Sequence, residues 1–163
     1  MNRGLRNNNP LNIRHSADRW RGAREEQTDK SFVQFESMAY GYRAAWKTLQ
    51  TYYNRLCGQG QPFNVQHIIS RWAPPEENDT AAYIRFVLGT SRLGGKENLL
   101  PPSNVAGYAK LSRLIAAMTC MECGIPYAQV DTEAICKGYC LAFPENNEKL
   151  NEWLDGWDEY AAW

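Results

Sequence analysis

The sequence predicts one domain of the α+β class, mainly α, with about six helices and one small β-hairpin. The chain has 163 residues, of which 44% are hydrophobic and 12% aromatic. This composition excludes a disordered chain and is sufficient for one buried core, so residues 1–163 are expected to form a single domain. Apolar side chains recur at helical spacing after residue 37, whereas Ser31–Glu36 (SFVQFE) is rich in β-prone residues.

Residues 1–30 are predicted to be irregular, because the run Asn7–Pro10 favours a turn. The hairpin is expected at Ser31–Glu36, which follows the turn-like segment Gln27–Lys30. Six helices are predicted after it, and each begins at a residue that can cap a helix N-terminus. Their expected spans are Ser37 to about Cys57, Asn64 to Trp72, Asp79 to Gly89, Ser103 or Asn104 to Gly124, Asp131 to about Ala142, and a last helix from Asn147 with Leu150, Trp153, Leu154, Trp157 and Ala161 on one face.

Charge and hydropathy exclude several classes of protein. The formal net charge is zero, which argues against a strongly basic nucleic-acid binder, and no apolar run approaches the ~20 residues of a membrane span. Residues 1–10 lack the apolar segment of a secretory signal, so synthesis in the cytoplasm is expected, and the protein is expected to be a monomer. Residues 1–58 carry a surplus of five basic residues and residues 141–163 a deficit of five. The basic end could attract an anionic polymer such as cell wall, or the two ends could neutralise each other.

Four of the five cysteines have a spacing close to that of zinc sites, C-x2-C-x12-C-x3-C. They are Cys120, Cys123, Cys136 and Cys140, and both pairs lie in segments with helical periodicity. Three alternatives remain at this point: a zinc site, a disulfide between two helices, and buried free thiols. We favour buried thiols, because neither pair lies in a polar, Gly-rich turn and cysteine is commonly a small core residue. No metal ion or other cofactor is expected.

Carboxylates are the residues best suited to chemistry in this chain. His15 and His67 are too few for a histidine metal site, and no serine-hydrolase, zinc-protease or P-loop motif occurs. Glycoside cleavage needs one carboxylic acid in a partly apolar cleft, and a second carboxylate or a positioned water. Glu122 is a candidate acid, because it ends an otherwise apolar helix just before Gly124. The alternative is an ordinary exposed glutamate in the last helical turn.

Two further clusters could contribute to such a site. Glu25, Glu26 and Asp29 precede the β-prone segment and could supply a second carboxylate, or they could form a solvated turn. In the run Trp72–Thr80, the simplest interpretation makes Asp79 a helix cap and Glu77 a surface residue. Trp72 and Tyr83 could form an aromatic wall against which sugar rings stack.

Five separated motifs resemble a family of small phage and prophage proteins that are often described as virion structural proteins. The resemblance covers roughly residues 3–143. One difference is Leu11, where the family usually has glycine, which puts a glycine-requiring backbone shape at that point in doubt. The motifs are Arg3–Arg14 (RGLRNNNPLNIR), Trp20–Gly22, Phe32–Phe35 (FVQF), Gly41–Ala44 (GYRA) and Trp72–Thr80 (WAPPEENDT).

A more distant resemblance is to bacterial glucosaminidases of the lysozyme superfamily. Asn8–Arg14 is similar to their N-N-x-F-G-I-K segment, Phe32–Phe35 to a strand, and Trp72–Tyr83 to their Y-A-T-D-P-x-Y motif. Ile115–Gly124 is similar to the helix that ends in their catalytic glutamate, but it lies at the C-terminal side, as after a circular permutation. The resemblance implies a lysozyme-like fold in which Asn8–Arg14 faces Glu122.

Together these observations predict cleavage of peptidoglycan glycan strands, with Glu122 as the general acid, assisted by Glu26 or Asp29 or by a positioned water. The alternative is a non-catalytic protein of the phage virion or injection apparatus that binds cell wall or other phage proteins. In either case it would reach the wall through phage or secretion-machine delivery. A zinc-binding helical module is the third alternative. The expected substrate-binding residues are Asn8, Asn12, Trp20, Trp72 and Tyr83.

Overall fold

The computed structural model describes residues 2–161, and it describes their side chains as far as Asp155. The secondary structure of this range is helical. Three short 3-10 turns, Val105–Gly107, Tyr127–Gln129 and Pro144–Asn146, join some of them. The α-helices are α1 (Arg3–Arg6), α2 (Met38–Gly58), α3 (Val65–Trp72), α4 (Thr80–Ser91), α5 (Tyr108–Cys123), α6 (Thr132–Ala142) and α7 (Asn147–Ala161).

The predicted α+β class is wrong, because the described residues contain no β-strand and the expected hairpin does not form. Within residues 2–161, the β-type pairing is limited to two isolated bridges, one between Arg14 and Phe32 and one between Ala23 and Phe35. The segment therefore contacts two neighbouring stretches of chain without building a ladder with either.

Side-chain amides explain why no ladder forms. The Val33 N–H donates to the Ile13 carbonyl at 3.0 Å, as a strand would. However, the Val33 carbonyl accepts from Asn9 Nδ2 at 2.8 Å, and the Gln34 N–H donates to Gln27 Oε1 at 2.7 Å. Because these side chains satisfy backbone groups that a neighbouring strand would otherwise pair, the extended segment stays irregular.

Four helix N-termini have the predicted caps. The side chains of Ser37, Asn64, Asp79 and Asp131 each accept a hydrogen bond from the backbone N–H three residues later. This geometry satisfies one of the N–H groups that every helix start leaves without a partner.

Three details differ from the predicted helices. Helix α5 begins at Tyr108 without a side-chain cap, because Asn104 caps the 3-10 turn Val105–Gly107 that precedes it. Helix α4 continues through Gly89 to Ser91, and it ends where Arg92 adopts a left-handed conformation with φ of 58°. The stretch Arg3–Arg6, expected to be irregular, forms one helical turn with Asn2 as its N-cap. A helix of four residues carries too little apolar periodicity to be recognised from sequence.

Helix α5 forms the centre of the core. Residues Leu114 to Cys120 are all buried, so almost the whole circumference of the helix is covered by neighbouring elements. Helices α2 and α6 pack closely against each other because Gly138 has no side chain: a Cβ there would lie 2.7 Å from the Tyr42 Cβ. Trp46, with no exposed surface, stacks on Tyr108 with 5.6 Å between ring centres.

Helix α7 covers one side of this core with the predicted apolar face. Leu150 is fully buried, and Trp153 and Leu154 are partly buried against the core. Trp157 and Ala161, predicted for the same face, lie outside the residues whose side chains are described. Within the described range, none of the helices has the length and apolarity needed to cross a membrane.

Candidate functional site

The C-terminal end of α5 meets the N-terminal segment of the chain. Gly124 ends the helix in a left-handed conformation, with φ of 60°. The last carbonyls of a helix have no partner inside it. Asn2 Nδ2 donates to the Cys123 carbonyl at 2.8 Å, and Asn12 Nδ2 lies 3.4 Å from the Glu122 carbonyl. The N-terminal segment therefore caps the helix that carries Glu122.

The asparagine run is held in a fixed shape. Asn8 and Asn12 both have positive φ, 51° and 52°, a region that asparagine tolerates better than most residues. Gly41 of α2 lies against this run, and a Cβ there would be 2.1 Å from the Asn8 carbonyl. Leu11 does not have positive φ and is only 2% exposed. The left-handed positions of this run are thus Asn8 and Asn12, and Leu11 is a core residue.

The Glu122 carboxylate accepts three hydrogen bonds from three parts of the chain. Its Oε1 accepts from Trp72 Nε1 at 3.0 Å and from the Tyr83 hydroxyl at 3.0 Å. Its Oε2 accepts from Asn12 Nδ2 at 3.2 Å. The side chain is half-buried, and among the described residues no lysine, arginine or histidine forms an ion pair with it. Neutral donors alone therefore orient this carboxylate.

Two neighbours of Glu122 keep their protons. Burial, together with the negative charge of Glu122, raises the pKa of the Tyr83 hydroxyl well above its usual range, so Tyr83 acts as a permanent donor. Burial and the same charge raise the pKa of the Cys123 thiol to about 11. Cys123 is therefore a thiol at neutral pH, which makes a thiolate nucleophile at this site unfavourable.

Glu122 opens into a cleft with a volume of about 280 Å³. Aromatic side chains form part of its wall, and aromatic faces pack well on sugar rings. At one side, the Arg71 guanidinium lies 5.5 Å from the centre of the Tyr52 ring. The polar, charged and aromatic residues that line the cleft include Asn12, Arg14, Tyr52, Trp72, Glu77 and Glu122.

Four of the residues singled out in the sequence come together at this cleft. Glu122, Asn12 and Trp72 line it, and Tyr83 lies behind Glu122 with its hydroxyl on the carboxylate. The prediction that the asparagine run faces Glu122 is confirmed by the hydrogen bond from Asn12, which joins residues 110 positions apart. Their roles in catalysis and binding stay predictions.

The remaining candidates lie elsewhere. Asp29 pairs with Arg3 at 2.7 Å. This guanidinium, the Phe32 backbone N–H and the Asn7 amide hold the pKa of Asp29 well below its usual range. Asp29 is thus already engaged in closing the turn before Phe32, and it does not line the cleft.

Three other candidates are also outside the cleft lining. Glu26 is exposed, and Asn8 Nδ2 donates to the Phe35 carbonyl at 3.2 Å. Trp20 lines a separate surface depression that also includes His15 and Arg19. The cleft wall next to the Asn12–Arg14 stretch is formed by Phe32 and not by the turn at residues 25–29.

Sequence reasoning missed Glu77 and Arg14 as residues of the cleft. Glu77 is exposed, as predicted, but it also lines the cleft that contains Glu122. One signal could have identified it: Glu77 lies in the short connection between the helices that carry Trp72 and Tyr83. A residue between two cleft-forming residues is well placed to reach the same cleft.

The cysteines do not form a metal site in the described part of the chain. No group of three histidine, cysteine or acidic side chains there could hold an ion. All five cysteines are free thiols: Cys120 and Cys123 are buried, Cys136 and Cys140 are half-buried, and Cys57 is exposed.

Comparison with known proteins identifies a phage relative. The chain is 37% identical over 145 residues to Protein P5 of Pseudoalteromonas phage PM2. The aligned region covers 86% of this chain and 82% of that protein. No family model matches the chain.

Proposed function

The chain belongs to the family of Protein P5 of Pseudoalteromonas phage PM2, and we propose that it cleaves the glycan strands of peptidoglycan. The observation that carries this proposal is the Glu122 carboxylate, which ends a buried helix and opens into a cleft with aromatic walls. A carboxylic acid held on a rigid helix beside an apolar wall is the arrangement that glycoside cleavage requires.

In this proposal Glu122 is the general acid. Its Oε1 is held by Trp72 and Tyr83, which leaves Oε2, beside Asn12, as the oxygen that gives the proton to the glycosidic oxygen. Asn12 then stabilises the carboxylate that remains. Because the donors around Glu122 are fixed before substrate arrives, the site does not have to reorganise during proton transfer.

Two arguments favour peptidoglycan as the substrate: the positive charges at the cleft and the phage origin of the relative. Arg14 lines the cleft and Arg71 lies over Tyr52 at its side, so two cations are available for the carboxylates that peptidoglycan carries. The relative is a phage protein, and a phage has to pass the bacterial wall when it enters and leaves its host. We propose that phage particles or the lysis of the host deliver it there.

Digestion of purified peptidoglycan tests this function. Glu122→Gln retains an acceptor for Trp72 and Tyr83 but cannot release a proton. We expect at least a ~100-fold lower rate of turbidity loss, which is typical for removal of a general acid. Glu148→Gln, at an exposed position of α7, is the matched control and should act like the wild type. Equal rates for the Glu122→Gln variant and the wild type would exclude the proposed acid.

A second candidate function is that of a non-catalytic virion or injection-associated protein that binds cell wall or other phage proteins. Two observations favour it. All three hydrogen bonds on Glu122 come from the protein itself, which is also what a structural carboxylate at a helix end requires. The relative is itself a phage protein. Co-sedimentation of the wild type with peptidoglycan, without release of sugar fragments, would support this alternative.

A further inference from the structure

Two carboxylates, those of Glu122 and Glu77, line the cleft, and the proposed reaction so far uses only Glu122. Glu122 lies at the end of α5, and Glu77 lies on the turn between α3 and α4. Glu26 does not line the cleft, and Asp29 forms an ion pair with Arg3. The cleft therefore already contains a pair of carboxylates without any contribution from the turn at residues 25–29.

The Glu77 carboxylate is available to accept a proton. Within the described residues it makes no hydrogen bond and no ion pair, and its side chain is exposed to the solvent that fills the cleft. Glu122, in contrast, accepts three hydrogen bonds from protein donors. One carboxylate is thus fixed by protein donors, whereas the other is exposed and can contact the water molecule that has to be activated, so the two can have different roles.

The backbone that carries Glu77 is well fixed. The Glu77 N–H donates to the Pro74 carbonyl at 3.1 Å, and Asn78 Nδ2 donates to the same carbonyl at 3.2 Å. Pro75 restricts the backbone further, because its ring fixes φ. The turn also joins directly to Trp72, whose indole holds Glu122. The backbone of Glu77 is therefore held at the wall of the cleft that also contains the proposed acid.

We propose that Glu77 is the general base of the cleft, which deepens the proposed function and depends on it. The bond between the anomeric carbon and the glycosidic oxygen breaks, and Glu122 gives its proton to that oxygen. A water molecule forms the new bond to the anomeric carbon, and Glu77 takes the proton that this water loses. Atoms and charges balance without a cofactor.

This assignment makes the reaction a hydrolysis. Water activated by Glu77 attacks from the side opposite the leaving oxygen, so the anomeric configuration is inverted. Each cleavage then creates one new reducing end, which contains one oxygen from water, and one new non-reducing end, which keeps the glycosidic oxygen. A lytic cleavage would instead close an internal anhydro ring and take no oxygen from water.

The test compares three variants on purified peptidoglycan: Glu77→Gln, Glu76→Gln and Glu122→Gln. Glu76 is the neighbouring exposed glutamate and does not line the cleft, so it is the matched control. We expect a ~100-fold or greater loss of rate for Glu77→Gln, since base and acid contributions are of similar size, and a rate within about twofold of wild type for Glu76→Gln. Digestion in water enriched in heavy oxygen should place one labelled atom at each new reducing end.

The outcomes separate this inference from the function on which it rests. If Glu122→Gln is inactive but Glu77→Gln keeps the wild-type rate, the assignment of Glu77 is overturned and the proposed function stands. Anhydro products without label would also overturn it. If neither substitution changes the rate, the assignments of both Glu122 and Glu77 fail. If the wild type releases no sugar, the proposed function itself fails. Because Glu77 is exposed, unchanged circular dichroism and melting temperature should accompany its substitution.

Discussion

Substitution of Asn9 by alanine should destabilise the protein strongly although Asn9 lies outside the cleft. Asn9 is completely buried, and its side chain accepts from the Ile13 N–H at 2.8 Å and donates to the carbonyls of Val33 and Ile13. The Ile13 carbonyl keeps a second donor, the Val33 N–H at 3.0 Å. Alanine therefore leaves two buried backbone groups without a partner, the Ile13 N–H and the Val33 carbonyl.

Each buried group that loses its partner costs about 1–3 kcal/mol, so Asn9→Ala should lower the free energy of unfolding by about 4 kcal/mol. For a single domain with a stability of about 5–15 kcal/mol, the variant still folds at 25 °C. With a urea dependence of about 2 kcal/mol per molar, the unfolding midpoint should fall by about 2 M.

Equilibrium unfolding in urea, followed by circular dichroism, measures this loss. Asn54→Ala is the control, because it makes the same chemical change at an exposed position of α2 and should shift the free energy of unfolding by less than about 0.5 kcal/mol. If Asn9→Ala lies within about 1 kcal/mol of the wild type, the network that shapes the asparagine run contributes little, and this reasoning is refuted.

Two further predictions concern Asp29 and the cysteines. Since the pKa of Asp29 is lowered in the folded state, its ionised form stabilises the protein above the usual carboxyl range, and this stability is lost as the pH falls below about 4. Asp29→Asn should therefore melt below the wild type at pH 7, with a difference that shrinks in acid; parallel melting curves from pH 7 to pH 2 would contradict this. For the cysteines, Cys57 should react first with a thiol reagent at pH 8, Cys123 only after unfolding, and all five in denaturant. Melting temperature should not respond to EDTA, and a drop on chelation would reveal a structural metal.

The helices were predictable because their signals are local. Caps such as Asn64 and Asp131 act on N–H groups three residues away, and the apolar spacing of α5 is contained within one segment. The hairpin was mispredicted because β-propensity at residues 31–36 indicates only an extended backbone. Whether a ladder forms there depends on Asn9, which is 24 residues from Val33 and takes one of the required hydrogen bonds.

The residues of the candidate site also divide into those with local sequence signals and those whose contacts are distant in sequence. Glu122 could be identified because its apolar helix and the following Gly124 are adjacent in sequence. Asp29 could not be recognised as a structural residue, since its partner Arg3 is 26 positions away and lies in a helical turn that was not predicted. Glu77 was regarded as a surface residue because only the packing of α3, α4 and α5 brings its turn to the cleft.

Mass analysis of the sugar fragments released from purified peptidoglycan tests the central claim, that the Glu122 cleft cleaves glycan strands, most directly. The wild type should release fragments with new strand ends, and Glu122→Gln, folded to the same melting temperature, should release at least ~100-fold fewer. Absence of fragments with the wild type would contradict the claim and leave the cleft with a binding role alone. Equal release by the Glu122→Gln variant would contradict the role of Glu122 as the acid.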